Sequence, residues 1–233
     1  MKQSEFDKFA EQYEFTLAKS ISFSGEPPSF FHQYKVATAA EIARNRGVRV
    51  ARILDFGCGV GNCLPFLRKY FPDSRIICAD VSRRSLEVSA SRFPGAAEYL
   101  EIQGRRLLLP DSCFDLVFSA CVFHHIRRAD HGHWLGELRR VSCLGALLAV
   151  FEHNPWNPLT LKVVHDCPFD RDVNLISGPQ FRHSLIHSGW QDTEIIYTLF
   201  FPRALAFLRH AERFLRSVPL GAQYAAIANV PPR

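Results

Sequence analysis

A glycine-rich turn between a buried strand and a helix is the feature that most limits how this chain can fold. The stretch ILDFGCGVGN, residues 53–62, places Gly57, Gly59 and Gly61 at alternate positions after an apolar run that contains Asp55. Glycine is the costliest residue to order, so this run indicates that the backbone needs conformations or close approaches that side chains prevent. A helix that begins at such a turn directs backbone N–H groups towards a ligand. The stretch therefore predicts a strand–turn–helix binding site.

Short apolar runs alternate with helical patterns along most of the chain. The predicted strands are RILDF, RIICAD, YLEIQ, FDLVFSACV, GALLAVFEH, DTEIIYTLFF and QYAAIANV, with helices between most of them. Two further helices are predicted at 5–20 and 34–46, and Ser82 and Asp130 are expected to cap later ones. Such alternation implies right-handed crossovers and a mostly parallel sheet covered on both faces. We therefore expect an α/β, doubly wound fold with its ligands at the carboxyl ends of the strands.

Composition and charge exclude several classes of function. The 28 Lys and Arg residues against 23 Asp and Glu give a net charge of +5, which is too mild to indicate nucleic-acid binding. The longest apolar run, residues 143–151, is well short of the ~20 residues that a membrane-spanning helix needs. Neither the seven cysteines nor the ten histidines show the spacing of a metal site. We therefore expect no metal site. Because acidic residues stand at the N-terminus where a signal peptide would be apolar, we also expect a cytoplasmic protein.

The acids near the glycine turn indicate the class of ligand. A dinucleotide-binding GxGxxG motif would require glycine at position 62, where this chain has Asn62. Asp55 would repel a pyrophosphate but suits a ligand with an ammonium group. Asp80 ends the second predicted strand, where a carboxylate accepts hydrogen bonds from ribose hydroxyls. S-adenosylmethionine combines these groups, so we expect it as the cofactor; a dinucleotide-dependent oxidoreductase is the alternative.

Two further segments carry a family resemblance. PDSCFDLVFSACVFHHI at 110–126 and the N-terminal FDKFAEQY resemble class I S-adenosylmethionine-dependent methyltransferases of the small-molecule, type 11 branch. The resemblance implies a Rossmann-like seven-stranded sheet whose last strand is antiparallel. It implies that Asp55 and the glycine turn hold the methionyl group, Asp80 the ribose, and Gln103 and Gly104 the adenine. The expected cofactor-binding residues are Tyr13, Asp55, Phe56, Gly57, Cys58, Gly59, Gly61, Asp80, Val81, Gln103, Gly104 and Ser119.

The methyl acceptor is expected beside the fourth and fifth strands. His124 follows the fourth strand and His153 the fifth, and either is a candidate base if the acceptor must lose a proton. The segment EHNPWNPLT at 152–160 contains two Asn-Pro steps, which fix an extended, turn-rich path for an acceptor pocket. The expected acceptor-binding residues are Phe31, Glu152, Asn154 and Trp156.

The expected organisation is a helical cap and a larger core. The cap spans 1–46, and the core spans 47–233 with insertions at 153–176 and 202–219 on the side of the active site. The second insertion predicts a helix, which serves either as a plain cover or as a lid whose arginines meet a phosphate. Residues 202–217 of this lid are also a candidate for peripheral membrane contact.

The predicted function is transfer of a methyl group to a small molecule. The first expectation for the acceptor is a hydroxyl or carboxylate of a sugar- or lipid-like biosynthetic intermediate, with S-adenosylhomocysteine as the second product. Carbon methylation of an isoprenoid or polyketide intermediate is the alternative reaction. A protein that binds S-adenosylmethionine without catalysis is the alternative outside enzymes. The sequence leaves the oligomeric state open.

Overall fold

The computed structural model of the chain describes residues 20–167 and 173–231. Its strands are β1 (Arg52–Phe56), β2 (Arg75–Asp80), β3 (Glu98–Glu101), β4 (Phe114–Ala120), β5 (Ser142–His153), β6 (Gln191–Thr198) and β7 (Gln223–Asn229). Its α-helices are α1 (Pro28–Asn45), α2 (Leu64–Tyr70), α3 (Arg83–Arg92), α4 (Arg128–Val141), α5 (Pro158–Asp166), α6 (Gly178–His187) and α7 (Glu212–Leu215). Short 3-10 helices span Ser22–Ser24, Phe123–His125 and Arg203–Ala211.

The strands form one sheet in the order β3-β2-β1-β4-β5-β7-β6. The pairings among β1 to β5 are parallel, whereas β7 pairs antiparallel with both β5 and β6. The predicted doubly wound, Rossmann-like sheet with an antiparallel last strand is therefore confirmed. Since β6 runs parallel to β5, the segment after β6 begins at the same edge of the sheet as the glycine turn.

Alternate residues of the strands feed two apolar cores on opposite faces of the sheet. Ile53 points to the face that α1 and α2 cover, and Leu54 points to the face covered by α4 and α6. This follows from the two-residue period of a β-strand, which sends successive side chains to opposite faces. Both faces are buried, as a parallel sheet requires, so the ends of the strands are where a ligand finds access.

Several boundaries differ from the sequence expectations. The Ser82 hydroxyl caps α3 by accepting from the Ser85 N–H at 3.0 Å, as predicted. The prediction that Asp130 caps a helix is wrong, because α4 begins at Arg128 and the Asp130 carboxylate pairs with Arg105 and Arg127 instead.

The helix predicted over residues 202–219 is also interrupted. It consists of a 3-10 stretch with non-helical backbone at Leu205, followed by the four residues of α7. The predicted helix at 5–20 lies almost wholly outside the described residues. The division into a cap of residues 1–46 and a core of residues 47–233, with its two insertions, stays a prediction.

Candidate functional site

An open cavity of about 260 Å³ lies at the carboxyl ends of the parallel strands. Its lining comes from the loops after β1, β2, β4 and β5, from α1 and α5, and from the segment at 199–209. The residues of the sequence prediction that it brings together are Phe31, Asp55, Gly57, Cys58, Gly59, Asp80, Val81, His124 and His153. Because these residues come from five separate segments, the cavity is the candidate active site.

The three glycines of the turn meet different demands. All have positive φ angles, +75° at Gly57, +53° at Gly59 and +78° at Gly61, which side chains rarely tolerate. A Cβ atom on Gly57 would lie 2.4 Å from Cγ2 of Val122, and one on Gly61 would lie 2.1 Å from Oγ of Ser89. A Cβ atom on Gly59 would meet nothing within 4 Å, and Gly59 lines the cavity. Packing within the fold therefore leaves no room for a Cβ atom at Gly57 or Gly61, whereas Gly59 lines the cavity with an open Cβ position.

Asp80 holds the glycine turn in place from the end of β2. Its Oδ2 atom accepts a hydrogen bond from the Gly59 N–H at 2.9 Å, and Oδ1 accepts one from the Ser82 N–H at 2.8 Å. The side chain is buried and lines the cavity. The carboxylate predicted to bind the ribose thus also orders the turn that would lie against the rest of the cofactor.

Asp55 is a buried carboxyl group with an unsatisfied oxygen. It is 2% exposed, and its Oδ2 atom has no hydrogen-bond partner in the described part of the chain. Burial, and then the negative charge of Asp80, raise the pKa of Asp55 to about 7. A buried carboxylate without a counter-charge is costly, so a cationic group placed here would be stabilised. The site therefore fits the ammonium group of an aminoacyl ligand, as the sequence predicts.

His124 and Glu152 form a buried pair beside the cavity. His124 Nδ1 lies 2.6 Å from Glu152 Oε2, and the other carboxylate oxygen accepts from the N–H groups of Val122 and Phe123 at 2.9 and 2.7 Å. Burial raises the pKa of Glu152, but His124, His153 and the Phe123 N–H outweigh it, so the pKa lies below its usual value. An ionised Glu152 fixes the proton of His124 on Nδ1. Glu152 therefore positions His124 and the turn after β4.

This arrangement corrects the prediction for Glu152, and the same correction applies to Asn154. Glu152 is 1% exposed, and neither residue is among those that line the cavity. The Asn154 amide donates to the carbonyls of Pro219 and Gly221 at 3.1 and 2.8 Å. The polar atoms of both side chains therefore bind groups within the fold, and neither residue lines the cavity.

The second asparagine of the EHNPWNP segment, Asn157, caps α5. Its Oδ1 atom accepts from the N–H groups of Leu159 and Thr160, both at 3.0 Å, and its amide donates to the Leu220 carbonyl at 2.7 Å. Trp156 is 49% exposed and does not line the cavity, contrary to the prediction. The two Asn-Pro steps therefore fasten the first insertion to the segment before β7, and α5 in turn lines the cavity.

Other predicted residues also lie away from the cavity. Phe56 is fully buried in the core, where its ring packs 5.6 Å from that of Trp134, and Ser119 is fully buried in β4. Gln103 and Gly104 are exposed in the loop after β3, and the neighbouring Ile102 lines the cavity instead. Tyr13 lies outside the described residues.

The structure adds cavity residues that the sequence prediction missed. Among them are Lys35 from α1, Cys121 after β4, Ile102 after β3 and Gln223 from β7. One sequence signal pointed to Lys35: a lysine that falls among the apolar positions of its helix, beside Val36 and Ala39.

Two of the lid arginines have ion-pair partners within the fold. Arg209 pairs with Glu26 at 2.8 Å and Arg216 with Glu41 at 3.2 Å. The third, Arg213, stacks on the ring of Phe214, with 4.6 Å between its Cζ atom and the ring centroid. The prediction that these arginines meet a phosphate therefore has little support, because Arg209 and Arg216 hold the segment after β6 against the N-terminal part of the structure.

Comparison with known proteins agrees with this geometry. Residues 53–143 match a family described as a methyltransferase domain. The chain is 29% identical over 130 residues to the demethylmenaquinone methyltransferase of Thermus thermophilus, a match that covers 54% of this chain and 58% of that protein. It is 27% identical over 180 residues to the malonyl-[acyl-carrier protein] O-methyltransferase of Geobacter sulfurreducens, covering 72% and 67% of the two chains. The chain thus spans less than two thirds of the Thermus relative.

The fold has close counterparts among solved structures. A crystal structure of an S-adenosylmethionine-dependent methyltransferase from Thermotoga maritima superimposes with a TM-score of 0.68 and 16% identity, over 97% of this chain and 98% of that one. This likeness confirms the predicted fold, and together with the match of residues 53–143 to a methyltransferase domain it bears out the predicted resemblance and cofactor. Among residues 20–167 and 173–231, no helix has the length and apolar character needed to cross a membrane.

Proposed function

We propose that this chain, which is a class I S-adenosylmethionine-dependent methyltransferase, transfers a methyl group to a hydroxyl or carboxylate of a small sugar- or lipid-like molecule. One observation carries the proposal: a single cavity is lined by the carboxylates of Asp55 and Asp80 and also by apolar side chains and Lys35. The carboxylates suit the cofactor, and we assign the apolar part of the lining, with Lys35, to the acceptor.

We assign a role in cofactor binding to each of five residues that line the cavity. Asp55 binds the ammonium group, Gly59 allows the ligand to lie against the backbone, and Asp80 accepts from the ribose hydroxyls. Ile102 and Val81, which line the cavity near Asp80, provide an apolar surface for the adenine. When bound, the cofactor supplies a methyl group on a cationic sulfur, whose charge is lost as the methyl leaves. A dry, aligned site favours such a reaction because charge disperses in the transition state.

The acceptor end is mostly apolar. Phe31 of α1, Val163 of α5 and Phe200 after β6 line the cavity, and we assign these three apolar side chains to the acceptor. A hydroxyl acceptor would lose its proton to a base, for which His124 and His153 are the candidates. The ring of His153 lies 5.3 Å from that of His124, measured between centroids.

Binding and product formation test the proposal separately. Calorimetry with S-adenosylhomocysteine and with NAD distinguishes the cofactor class, and we expect binding of the first only. The protein is incubated with S-adenosylmethionine and a panel of hydroxy and carboxylic acids, and the mixture is analysed by mass spectrometry. We expect products about 14 mass units heavier than the acceptor, because a methyl group replaces a hydrogen. Tighter binding of NAD would contradict the proposal, and cofactor binding without product from any acceptor class would favour a non-catalytic role.

We extend the proposal to a membrane contact through residues 202–217. Phe207 is 73% exposed and Phe214 is 71% exposed, and Arg203 and Arg213 lie on the same segment. Exposed aromatic and basic side chains together favour an anionic lipid surface. Sedimentation with phosphatidylglycerol vesicles tests this: the wild type should sediment, the double variant Phe207→Ser/Phe214→Ser should not, and equal sedimentation of both would contradict the contact.

A further inference from the structure

The lining of the cavity includes a buried ammonium group, that of Lys35, next to the turn after β4. Lys35 is 5% exposed, and its Nζ atom donates to Cys121 Sγ at 3.3 Å. That thiol is the one hydrogen-bond acceptor of Nζ, and no Asp or Glu oxygen lies within 4.0 Å of it, among residues 20–167 and 173–231. An ammonium group has three N–H donors, and a buried charge that lacks partners is costly. Burial lowers the pKa of Lys35, but Cys121, Cys63 and Glu152 together outweigh it and raise the pKa, so the ammonium group stays charged and has N–H donors left for an anion.

In the ligand-free protein, the thiol of Cys121 takes the place of an anion beside Lys35. It follows β4 with a φ angle of +60°, a conformation that costs a non-glycine residue energy and is found at functional sites. Burial raises the pKa of the thiol, but Lys35 and then His153 outweigh it and bring the pKa to about 7. A thiol in this state partly ionises near neutral pH. The surroundings of Lys35 therefore stabilise a negative charge, here that of the Cys121 thiolate.

Gln223 is an independent sign of a ligand at the same end. It is 8% exposed, lines the cavity, and has an Oε1 atom without a hydrogen-bond partner among the described residues. The β5–β7 register places it opposite His153, which interacts with Cys121. Since rotation of the amide exchanges its oxygen and nitrogen, Gln223 offers either a donor or an acceptor to a bound polar group. Buried polar groups rarely stay unpaired.

We propose that Lys35 binds a carboxylate of the methyl acceptor at this end of the cavity. The inference deepens the proposed function and rests on it, because it names the acceptor as a carboxylic acid. One carboxylate oxygen forms a bond to the methyl carbon as the carbon–sulfur bond breaks and its electron pair stays on sulfur. The products are a methyl ester and S-adenosylhomocysteine, and no proton is released. A carboxylate acceptor therefore needs no general base, and Lys35 and Gln223 have only to hold it.

Binding of a matched pair of probes to the wild type tests the inference. In the presence of saturating S-adenosylhomocysteine, calorimetry compares octanoate with octanamide, which has the same chain but no charge. Because a hydrogen bond to a charged group is worth more than a neutral one, octanoate should bind about tenfold more tightly or better. Equal affinity for the two probes overturns the carboxylate site. Failure to bind S-adenosylhomocysteine would instead contradict the proposed function, so the two failures are distinguishable.

Variants of Lys35 locate the effect. Lys35→Met keeps the length of the side chain and should abolish the preference for octanoate while S-adenosylhomocysteine affinity stays within about twofold. Lys35→Arg should retain part of the preference. Lys69→Met is the matched control, because Lys69 is exposed on α2 and away from the cavity. A preference that survives in Lys35→Met overturns the assignment, and if that variant does not fold, the wild-type comparison decides.

Discussion

Replacement of Gly59 by alanine separates the demands of folding from those of binding. Gly59 has a φ angle of +53°, and a Cβ atom there would meet no heavy atom within 4 Å. Gly47, which follows α1, is a matched control, because its φ angle is +67° and its Cβ position is equally open. The two differ in one respect: Gly59 lines the cavity and Gly47 does not. An alanine at either site therefore carries the same backbone penalty, and only one of them adds a methyl group to the binding surface.

The expected magnitudes follow from these contacts. A left-handed conformation costs a non-glycine residue about 1–2 kcal/mol, so Gly59→Ala and Gly47→Ala should each lower the free energy of unfolding by about that amount. Gly57→Ala adds a clash, since its Cβ atom would lie 2.4 Å from Val122 Cγ2. Overpacking costs a further ~1–3 kcal/mol, so this variant should be the least stable of the three. A ligand pressed against Gly59 would meet the same overpacking, which weakens its Kd by about 10- to 100-fold.

Urea unfolding and calorimetry with S-adenosylhomocysteine measure the two quantities in each variant. We expect Gly47→Ala and Gly59→Ala to unfold at similar urea concentrations, with cofactor binding weakened only in Gly59→Ala. If Gly59→Ala binds as tightly as Gly47→Ala, the ligand does not lie against this turn and the reasoning fails. A Gly57→Ala variant as stable as Gly59→Ala would contradict the packing that the structure assigns to Val122.

The remaining predictions concern the carboxylates. Because the pKa of Asp55 is about 7 in the ligand-free protein and an ammonium ligand binds the ionised form, affinity for S-adenosylhomocysteine should be full above pH 7 and fall by up to about tenfold per pH unit below it. Asp55→Asn should bind weakly with no such dependence, and a similar slope in that variant would rule out Asp55 as its source. Asp80→Ala should weaken binding by about 1.5–3 kcal/mol, the worth of a hydrogen bond to a charged group; unchanged affinity in calorimetry would contradict the ribose assignment. Glu152→Ala removes the partner of buried His124 and should cost about 3–5 kcal/mol in urea unfolding, whereas a loss under about 1 kcal/mol would show that the pair is not structural.

Several residues that line the cavity could be predicted from the sequence. The glycine turn, Asp55 and Asp80 lie within or at the ends of two predicted strands, and parallel strands bring their carboxyl ends to one edge of the sheet. Local sequence pattern and sheet topology are enough to predict that such residues meet. The same reasoning was less successful for Glu152 and Asn154, because their positions at the end of β5 did not reveal that backbone N–H groups and carbonyls take up their polar atoms.

The sequence by itself determined the order of strands and helices, the sharp turn after β1 and the acids beside it, because these depend on residues close together in the chain. Only the tertiary structure decided that packing closes the Cβ positions of Gly57 and Gly61 while that of Gly59 stays open at the cavity, and that Lys35 meets Cys121, which is 86 residues away in the sequence. The physical reason is that a buried charge or an open Cβ position is defined by atoms from distant segments. The periodicity and spacing of residues in the sequence do not show which distant segments supply those atoms.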